Sequence, residues 1–279
     1  MEEPTKHRPV LVNEVVELLS SAPTKMILDG TFGGGGHSRA LLEAGANVIA
    51  VDRDPAVSQF AELLKQEFGK KFRFENLPYD DVEKLNVKFD GALLDLGLSS
   101  DQLESLGRGF SFQHTNDPLD LRFDSRSGQT AAQFLSQASL NRIEATFRDL
   151  AEDRYWRRLS SKIVATRRAK PIRTVSDFVV AIGSTDPKVL APLFQALRVV
   201  VNDELNHLKI GLEAIAAVLK PGAVLAVISF HSLEDRIVKE FLKNGSFELK
   251  TKKPIIPTVA EIESNPRSRS AKLRAGVKK

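Results

Sequence analysis

A glycine loop between a predicted strand and a predicted helix is the segment of this sequence most suited to binding a ligand. It reads Asp29-Gly30-Thr31-Phe32-Gly33-Gly34-Gly35-Gly36-His37-Ser38, between the apolar run 26–28 and a helical run that opens at Ala40. Consecutive glycines remove every Cβ from one turn, so backbone N–H groups can approach a flat or extended ligand. A strand, glycine loop and helix in this order typically bind a nucleoside-containing cofactor, and a flexible surface turn is the alternative.

Polar and aromatic side chains follow the other predicted strands at the point where each strand ends. The second strand ends in Asp52, about twenty residues after the loop, where an acid accepts hydrogen bonds from ribose hydroxyls. Tyr79, Asp95 and the segment Ser229-Phe230-His231-Ser232 follow later strands. Because the carboxyl ends of parallel strands share one edge of a sheet, we expect these side chains to line a single site.

Asp29 distinguishes between two classes of cofactor. A nicotinamide dehydrogenase would carry G-x-G-x-x-G, whereas here an unbroken glycine run follows an acid. A carboxylate before the glycines would repel a pyrophosphate and tolerate the cationic amino-acid end of S-adenosylmethionine. The loop therefore favours S-adenosylmethionine over a dinucleotide.

The elements that must position these residues alternate between strand and helix patterns, which predicts a parallel sheet with helices on both faces. Strands are predicted at 26–29, 48–52, 72–75 and 91–95, with helices at 10–19, 38–43 and 55–68. Only helical patterns follow, at 130–138, 140–150, 153–169 and 175–182. Strand and helix patterns then resume with a helix at 202–219, a strand at 223–230 and a helix at 233–242. The last two strands, 247–250 and 272–277, could pair, and 252–266 is predicted as a loop.

This pattern predicts one discontinuous domain, 1–105 with 196–279, interrupted by a helical insertion at 106–195. The 279 residues contain no cysteine, which excludes disulfides, thiolate zinc sites and a cysteine nucleophile. No apolar run approaches the roughly twenty residues of a membrane span, and the first residues do not resemble an export signal. We therefore expect a cytoplasmic protein with no membrane partner.

Basic residues are concentrated in two segments, 154–173 and 250–279, of a chain whose net charge is only +4. Between Arg154 and Arg173 no acid interrupts the cations, and a helix there would place Arg154, Arg157, Arg158, Lys162 and Arg168 on one broad face, with Tyr155, Leu159 and Ile163 on another. The single Trp156 is expected to anchor the core more than to stack on a base. A basic face is often merely solvated, but two such segments favour contact with a phosphate backbone.

Several longer motifs resemble one family. They are 89–100 (FDGALLDLGLSS), 108–112 (RGFSF), 118–124 (PLDLRFD) and 229–236 (SFHSLEDR), with further matches at His7, Glu14, 194–198 (FQALR), 202–205 (NDEL) and 265–267 (NPR). Together with His37, they resemble the bacterial family that methylates N4 of a cytidine in small-subunit ribosomal RNA. The resemblance covers nearly the whole chain. It implies an α/β fold, a Rossmann-like class I methyltransferase with an inserted all-helical domain, and it implies that the insertion recognises RNA.

The resemblance also implies the cofactor and its site. S-adenosylmethionine would lie against Gly35, Gly36 and His37, with its ribose hydroxyls on Asp52 and its adenine near Tyr79. Asp95 and Gln102 would complete the pocket. The implied partner is small-subunit ribosomal RNA or the small ribosomal subunit, and whether the chain forms a homodimer is left open.

The implied reaction is a direct in-line methyl transfer to an exocyclic amine, which requires no metal and no covalent intermediate. Candidates for accepting the amine proton or contacting the base are Asp95, Ser99, Asp120 and His231. Asp120 is also a typical cap of a helix or turn, and His231 a typical structural histidine. The target base would have to be extruded from structured RNA.

The chain departs from the family pattern at two places. Leu150-Ala151-Glu152-Asp153 stands where family members commonly have Tyr-Gly-Glu-Glu, and Ala191-Pro192-Leu193 stands where they commonly have Thr-Arg-Thr. These departures concern the RNA contacts more than the cofactor. A methyltransferase of the same fold acting on a small molecule or protein, and an RNA-binding module without activity, remain alternatives.

Overall fold

The computed structural model describes residues 9–20, 25–98 and 107–279. These residues fall within two compact units, one from 1–99 and 205–279 and the other from 100–204.

Seven strands form one mixed sheet in the first unit. They are β1 (Met26–Asp29), β2 (Asn47–Val51), β3 (Phe72–Glu75), β4 (Phe89–Asp95), β5 (Leu219–Ser229), β6 (Phe247–Leu249) and β7 (Lys272–Lys278). Their order is β3-β2-β1-β4-β5-β7-β6. The first five strands are parallel, whereas β7 runs antiparallel to both β5 and β6. This is the Rossmann-like order expected of a class I methyltransferase, and the predicted pairing of the last two strands is confirmed.

Among the described residues, eleven α-helices accompany these strands. In chain order they are α1 (Val12–Leu19), α2 (Gly36–Glu43), α3 (Ser58–Phe68), α4 (Ala131–Gln137), α5 (Leu140–Asp149), α6 (Trp156–Ala169), α7 (Val175–Ile182), α8 (Pro187–Val201), α9 (Glu204–Val218), α10 (Ser232–Lys243) and α11 (Val259–Ser264). A 3-10 helix, Tyr79–Leu85, precedes β4.

Two hydrophobic cores cover the two faces of the sheet. Helices α1 to α3 contribute Leu19, Leu41 and Leu64 to one face. Helices α9 and α10 contribute Leu212 and Val238 to the other, together with the 3-10 helix. The central parts of β4 and β5, 91–94 and 223–228, are apolar and buried, as expected for strands covered on both faces of the sheet. This packing leaves the carboxyl ends of the strands to position the functional side chains.

The second unit is built from α4 to α8. Capping boxes at Thr130 and Thr174 begin α4 and α7, and fully buried side chains such as Phe147 and Phe178 form its core. The helical patterns at 130–138, 140–150, 153–169 and 175–182 are confirmed to within three residues. Helix α8 was not predicted. It crosses the predicted domain boundary at 195/196 and lies within the second unit.

Three other details of the sequence prediction were wrong. Strand β5 begins at Leu219, four residues before the predicted strand at 223–230. Helix α11 lies inside the stretch predicted as a loop. Helix α6 begins at Trp156, and Tyr155, predicted on the same face as the buried Leu159, is 53% exposed.

Within the described ranges, no helix has both the length and the apolar character needed to cross a bilayer.

Candidate active site at the carboxyl edge of the sheet

The glycine loop after β1 has a defined, tightly packed conformation. Gly33 and Gly35 take positive φ angles of 51° and 77°, which side chains rarely adopt. A Cβ on Gly35 would lie 2.8 Å from the ring of Phe32, and one on Gly30 would lie 2.6 Å from Leu94 Cδ2. Gly35 therefore requires glycine, whereas a Cβ on Gly30 would displace the end of the Leu94 side chain. The four glycines 33–36 place no side chain of their own over the turn.

Asp29 organises this loop from inside the protein. Its Oδ2 accepts a 2.6 Å hydrogen bond from Ser38 Oγ, and its Oδ1 accepts one of 3.1 Å from Thr31 N–H. The side chain has no exposed surface, and burial raises its pKa. The sequence analysis used the charge of Asp29 to favour S-adenosylmethionine over a dinucleotide. Because this carboxyl is buried and bonded to Ser38 and Thr31, that argument is not supported.

Asp52 follows β2 and joins the loop to its neighbouring strand. Its Oδ2 accepts a 2.9 Å hydrogen bond from Gly33 N–H, and its Oδ1 accepts one of the same length from Asp54 N–H. Burial raises the pKa of Asp52 to about 6 in spite of these donors. A carboxylate oxygen accepts more than one hydrogen bond, so both oxygens retain capacity for hydroxyl groups.

His37 and Asp95 meet between the glycine loop and the end of β4. His37 Nε2 lies 3.4 Å from Asp95 Oδ2, with His37 only 6% exposed. Among the described residues, neither ring nitrogen of His37 finds a hydrogen-bond partner, and Asp95 Oδ1 also lacks one. Buried polar atoms without partners are costly, so these three atoms indicate a place for a polar ligand.

Tyr79 lies at the same edge, at the start of the 3-10 helix. Its Cβ is 3.3 Å from the position of a Cβ on Gly30, and a Cβ on Gly211 of α9 would lie 2.3 Å from its ring. Tyr79 is thus held between the loop after β1 and a helix that has no side chain at the point of contact.

His231 has a structural role at the end of β5. It is the N-cap residue of α10, where Glu234 N–H donates to its Nδ1 and Phe230 N–H donates to the Glu234 carboxylate. This agrees with the structural alternative considered for His231, although its Nε2 is buried without a hydrogen bond, 3.0 Å from Glu234 Oε1.

The remaining candidates, Asp120, Ser99 and Gln102, belong either to the second unit or to residues that the structure does not describe. Asp120 belongs to the second unit, where its carboxylate forms a bidentate ion pair with Arg122 at 2.7 and 2.8 Å. Ser99 and Gln102 lie outside the described residues.

Thr31 and Ser38 are site residues that sequence reasoning missed. Asp95 N–H donates a 2.6 Å hydrogen bond to Thr31 Oγ1, which connects the glycine loop to the end of β4. Ser38 is the partner of Asp29 described above. Their places on either side of the glycine run were the only indication available in the sequence.

These residues fit S-adenosylmethionine. A main-chain turn of four glycines, a carboxylate with capacity for ribose hydroxyls, and polar atoms on His37 and Asp95 without a hydrogen bond to any described residue together match the hydroxyl, amino and carboxylate groups of that cofactor. The fit rests on Gly33, Gly35, His37, Asp52 and Asp95.

The sequence is similar to known proteins over nearly its whole length. The model of the MraW methylase family matches residues 4–279. The chain is 44% identical over 284 residues to the ribosomal RNA small subunit methyltransferase H of Deinococcus radiodurans, with 97% of this chain and 89% of the relative covered. It is 42% identical over 298 residues to the protein of the same name from Chelativorans sp. (strain BNC1), covering 98% and 87% respectively.

Solved structures give weaker likenesses. A putative methyltransferase from Streptococcus mutans in complex with SAH aligns with all of this chain and 99% of its own, at a TM-score of 0.49 and 12% identity. The description of the fold above depends on the strand order of this chain and not on that likeness.

Proposed function

This chain belongs to the MraW methylase family, and from that premise we propose that it transfers a methyl group from S-adenosylmethionine to N4 of a cytidine in small-subunit ribosomal RNA. The relatives named above carry that RNA in their names, and they match nearly the whole chain. The structural observation that carries the proposal is the pairing of His37 with Asp95 beside the glycine loop, with polar atoms left unpaired on both residues.

S-adenosylmethionine, when bound, supplies a methyl group attached to a positively charged sulfur. The sulfur is a good leaving group and needs no further activation. The residues of this chain hold and orient it. Gly35, Gly36 and His37 contact the amino-acid and adenosine portions, Asp52 accepts the ribose hydroxyls, and Tyr79 lies near the adenine. Asp95 borders both the cofactor and the acceptor.

We assign Asp95 as the residue that accepts a hydrogen bond from the target amine, N4 of cytosine. The lone pair of cytosine N4 is delocalised into the ring, so the site must hold the amine in line at a near-attack distance of about 3–3.5 Å. Asp95 Oδ1 is buried with no partner in the part of the chain that the structure describes, and it can accept a hydrogen bond from an N–H of the amine. That bond would orient N4 and stabilise the charge that develops on it. His231 and Asp120 already have structural partners, which favours Asp95 over both.

The helical insertion is proposed to recognise RNA. Helix α6 carries Arg157 and Arg158 on an exposed face, and Arg157 lies over the Trp156 ring at 4.0 Å from its centroid. Exposed guanidinium groups next to aromatic rings suit phosphates and unstacked bases. Since ribosomal RNA is modified where ribosomes are assembled, we place the activity in the cytoplasm. A homodimer would have twice the mass of the chain in solution.

The proposal is tested by methylation of small ribosomal subunits from a strain that lacks the enzyme. Purified protein with labelled S-adenosylmethionine should produce N4-methylcytidine, identified by mass spectrometry of the digested RNA. Asp95→Asn should lower turnover by about 100-fold or more, in the range seen when a single preorganised hydrogen-bonding group is removed.

Asp81→Asn is the matched control for this experiment. Asp81 is an exposed acid of the same unit, paired with Lys84 on the surface, and its loss should leave turnover unchanged. Label on small molecules or protein alone, with none on RNA, would contradict the proposed function.

A further inference from the structure

A cavity of about 270 Å³ lies at the carboxyl end of β5, outside the cofactor site. Phe230, Ile256 and Ile262 supply apolar walls, and His231, Arg269 and Lys272 supply polar groups. Pockets that enclose drug-sized ligands measure about 300–1,000 Å³, so this cavity suits one aromatic ring with a small polar group attached.

The walls of the cavity are fixed by hydrogen bonds. Ile255 and Leu273 exchange two backbone hydrogen bonds of 2.9 Å, which ties the segment before α11 to β7. Glu261 of α11 accepts a 2.8 Å hydrogen bond from Leu11 N–H. The segment between α11 and β7 is also anchored, because Ser268 is fully buried and donates to Asn265 O. The cavity therefore exists before any ligand arrives.

Phe230 connects the cavity to the acceptor side of the active site. A Cβ on Gly97, two residues after Asp95, would lie 3.4 Å from the Phe230 ring. Leu96 N–H also donates to Ile228 O, so the ends of β4 and β5 stay together beyond the last ladder pair. Phe230 therefore borders both the cavity and Gly97 at the end of β4.

The cavity rim carries cations with spare hydrogen-bonding capacity. Arg269 is exposed and makes no ion pair with any described residue. Lys272 is 41% exposed and 3.6 Å from Asp235, whose carboxylate is already held by two hydrogen bonds from Arg274. Two cations above an apolar floor match a phosphate joined to an aromatic base.

Ile256 is the other unusual feature of the rim. It is 64% exposed, although the backbone beside it is fixed to β7. An apolar side chain held rigidly in solvent next to an aromatic ring is typical of a surface that packs against a ligand.

We propose that this cavity binds the nucleotide adjacent to the target cytidine. Its base lies against Phe230 and Ile256, and its phosphate contacts Arg269 and Lys272. Binding there holds the strand while the target base is extruded toward Asp95. The inference rests on the proposed function, because it presumes that the substrate is RNA.

Binding of small-subunit ribosomal RNA from the strain lacking the enzyme is measured by titration over a series of salt concentrations, in parallel with methylation kinetics. Arg269→Ala should raise the dissociation constant and the KM for RNA by about tenfold, as expected for one charge-assisted contact. It should also reduce the slope of log affinity against log salt by about 0.7–0.9. Ile256→Glu, which places a negative charge beside the phosphate, should raise KM at least as much.

The control is Lys239→Ala, an exposed cation on α10 without an ion-pair partner among the described residues. It should leave RNA affinity and kcat unchanged, and all three variants should bind S-adenosylmethionine and unfold like the wild type. The inference is overturned if Arg269→Ala and Ile256→Glu bind RNA like the wild type, or if Lys239→Ala weakens binding as much as they do. Wild-type protein that binds RNA through these residues but forms no N4-methylcytidine would contradict the proposed function instead.

Discussion

His37 Nε2 lies 3.4 Å from Asp95 Oδ2, across the ends of the two central strands β1 and β4. His37 comes from the first turn of the helix after the glycine loop, and Asp95 is the last residue of its strand. The two residues are 58 positions apart and meet only because β1 and β4 are neighbours in the sheet. Both residues retain polar atoms without a hydrogen bond to any described residue, which makes this contact the centre of the site.

Gly35→Ala should lower both stability and cofactor affinity. The residue has φ +77°, and a Cβ would press on the Phe32 ring at 2.8 Å. The left-handed conformation alone costs about 1–2 kcal/mol for an alanine. Gly45→Ala isolates that cost, because Gly45 has φ +93° and nothing within 4 Å of its Cβ position. Thermal unfolding and calorimetric titration with S-adenosylmethionine should show a larger loss of stability for Gly35→Ala, and loss of binding for that variant alone.

Gly211→Ala should destabilise the protein although alanine is the better helix former. Helix propensity favours the substitution by about 1 kcal/mol, but the new Cβ would lie 2.3 Å from the Tyr79 ring. In a Tyr79→Ala background the same change should become stabilising. Urea unfolding of the four proteins in this double-mutant cycle measures the coupling between the two positions. Purely additive effects would show that the ring does not rest on Gly211.

Arg198→Met should destabilise the helical unit by about 3–5 kcal/mol, because it leaves a buried carboxylate without its partner. Arg198 donates two hydrogen bonds, of 2.8 and 3.0 Å, to Glu204, and both residues are 8% exposed. Arg198→Met combined with Glu204→Gln should recover most of this loss, since no charge is then buried alone. Urea denaturation measures the stability of each variant. A double variant as unstable as Arg198→Met alone would contradict the role given to the Arg198–Glu204 ion pair.

Cofactor binding should depend on pH through Asp52. Its pKa is raised from 3.8 to about 6, so the stability gained by protonating this carboxyl is complete below pH 3.8 and is lost as the pH rises through 6. Ribose hydroxyls donate to the ionised form, so affinity for S-adenosylmethionine should fall as the pH drops through 6. Titrations between pH 5 and 8 should show this change, and Asp52→Asn should bind weakly without it. An identical pH profile for the variant would assign the change to another group.

The central sheet was predictable because its strands are short apolar runs that end in polar residues. Strands β1 and β3 have the predicted bounds, and Asp52 and Asp95 lie at the edge where strand order requires them. Helix α8 escaped prediction because it has proline both at its first position and at Pro192, and proline ordinarily indicates the end of a helix. Helix α11 escaped for a similar reason, since prolines on both sides of a six-residue helix resemble a loop.

The site could be predicted only as a set of candidates. Spacing along the chain does not reveal that Asp29 turns inward to Ser38, or that His231 caps a helix, because both depend on contacts made by the folded backbone. The exposed position of Tyr155 was missed because the helix begins at Trp156, three residues later than predicted, so Tyr155 lies outside the helix and not on its apolar face. That S-adenosylmethionine is the cofactor depends on the family and on the unpaired atoms of His37 and Asp95 more than on the charge of Asp29.

A crystal structure of this protein with S-adenosylhomocysteine and cytidine tests the account most directly. We predict that the nucleoside cofactor lies against residues 33–37, with its ribose hydroxyls on Asp52. Cytidine N4 should face the sulfur and lie within hydrogen-bonding distance of Asp95 Oδ1. A cofactor bound elsewhere, or a cytidine whose N4 faces away from Asp95, would contradict the account.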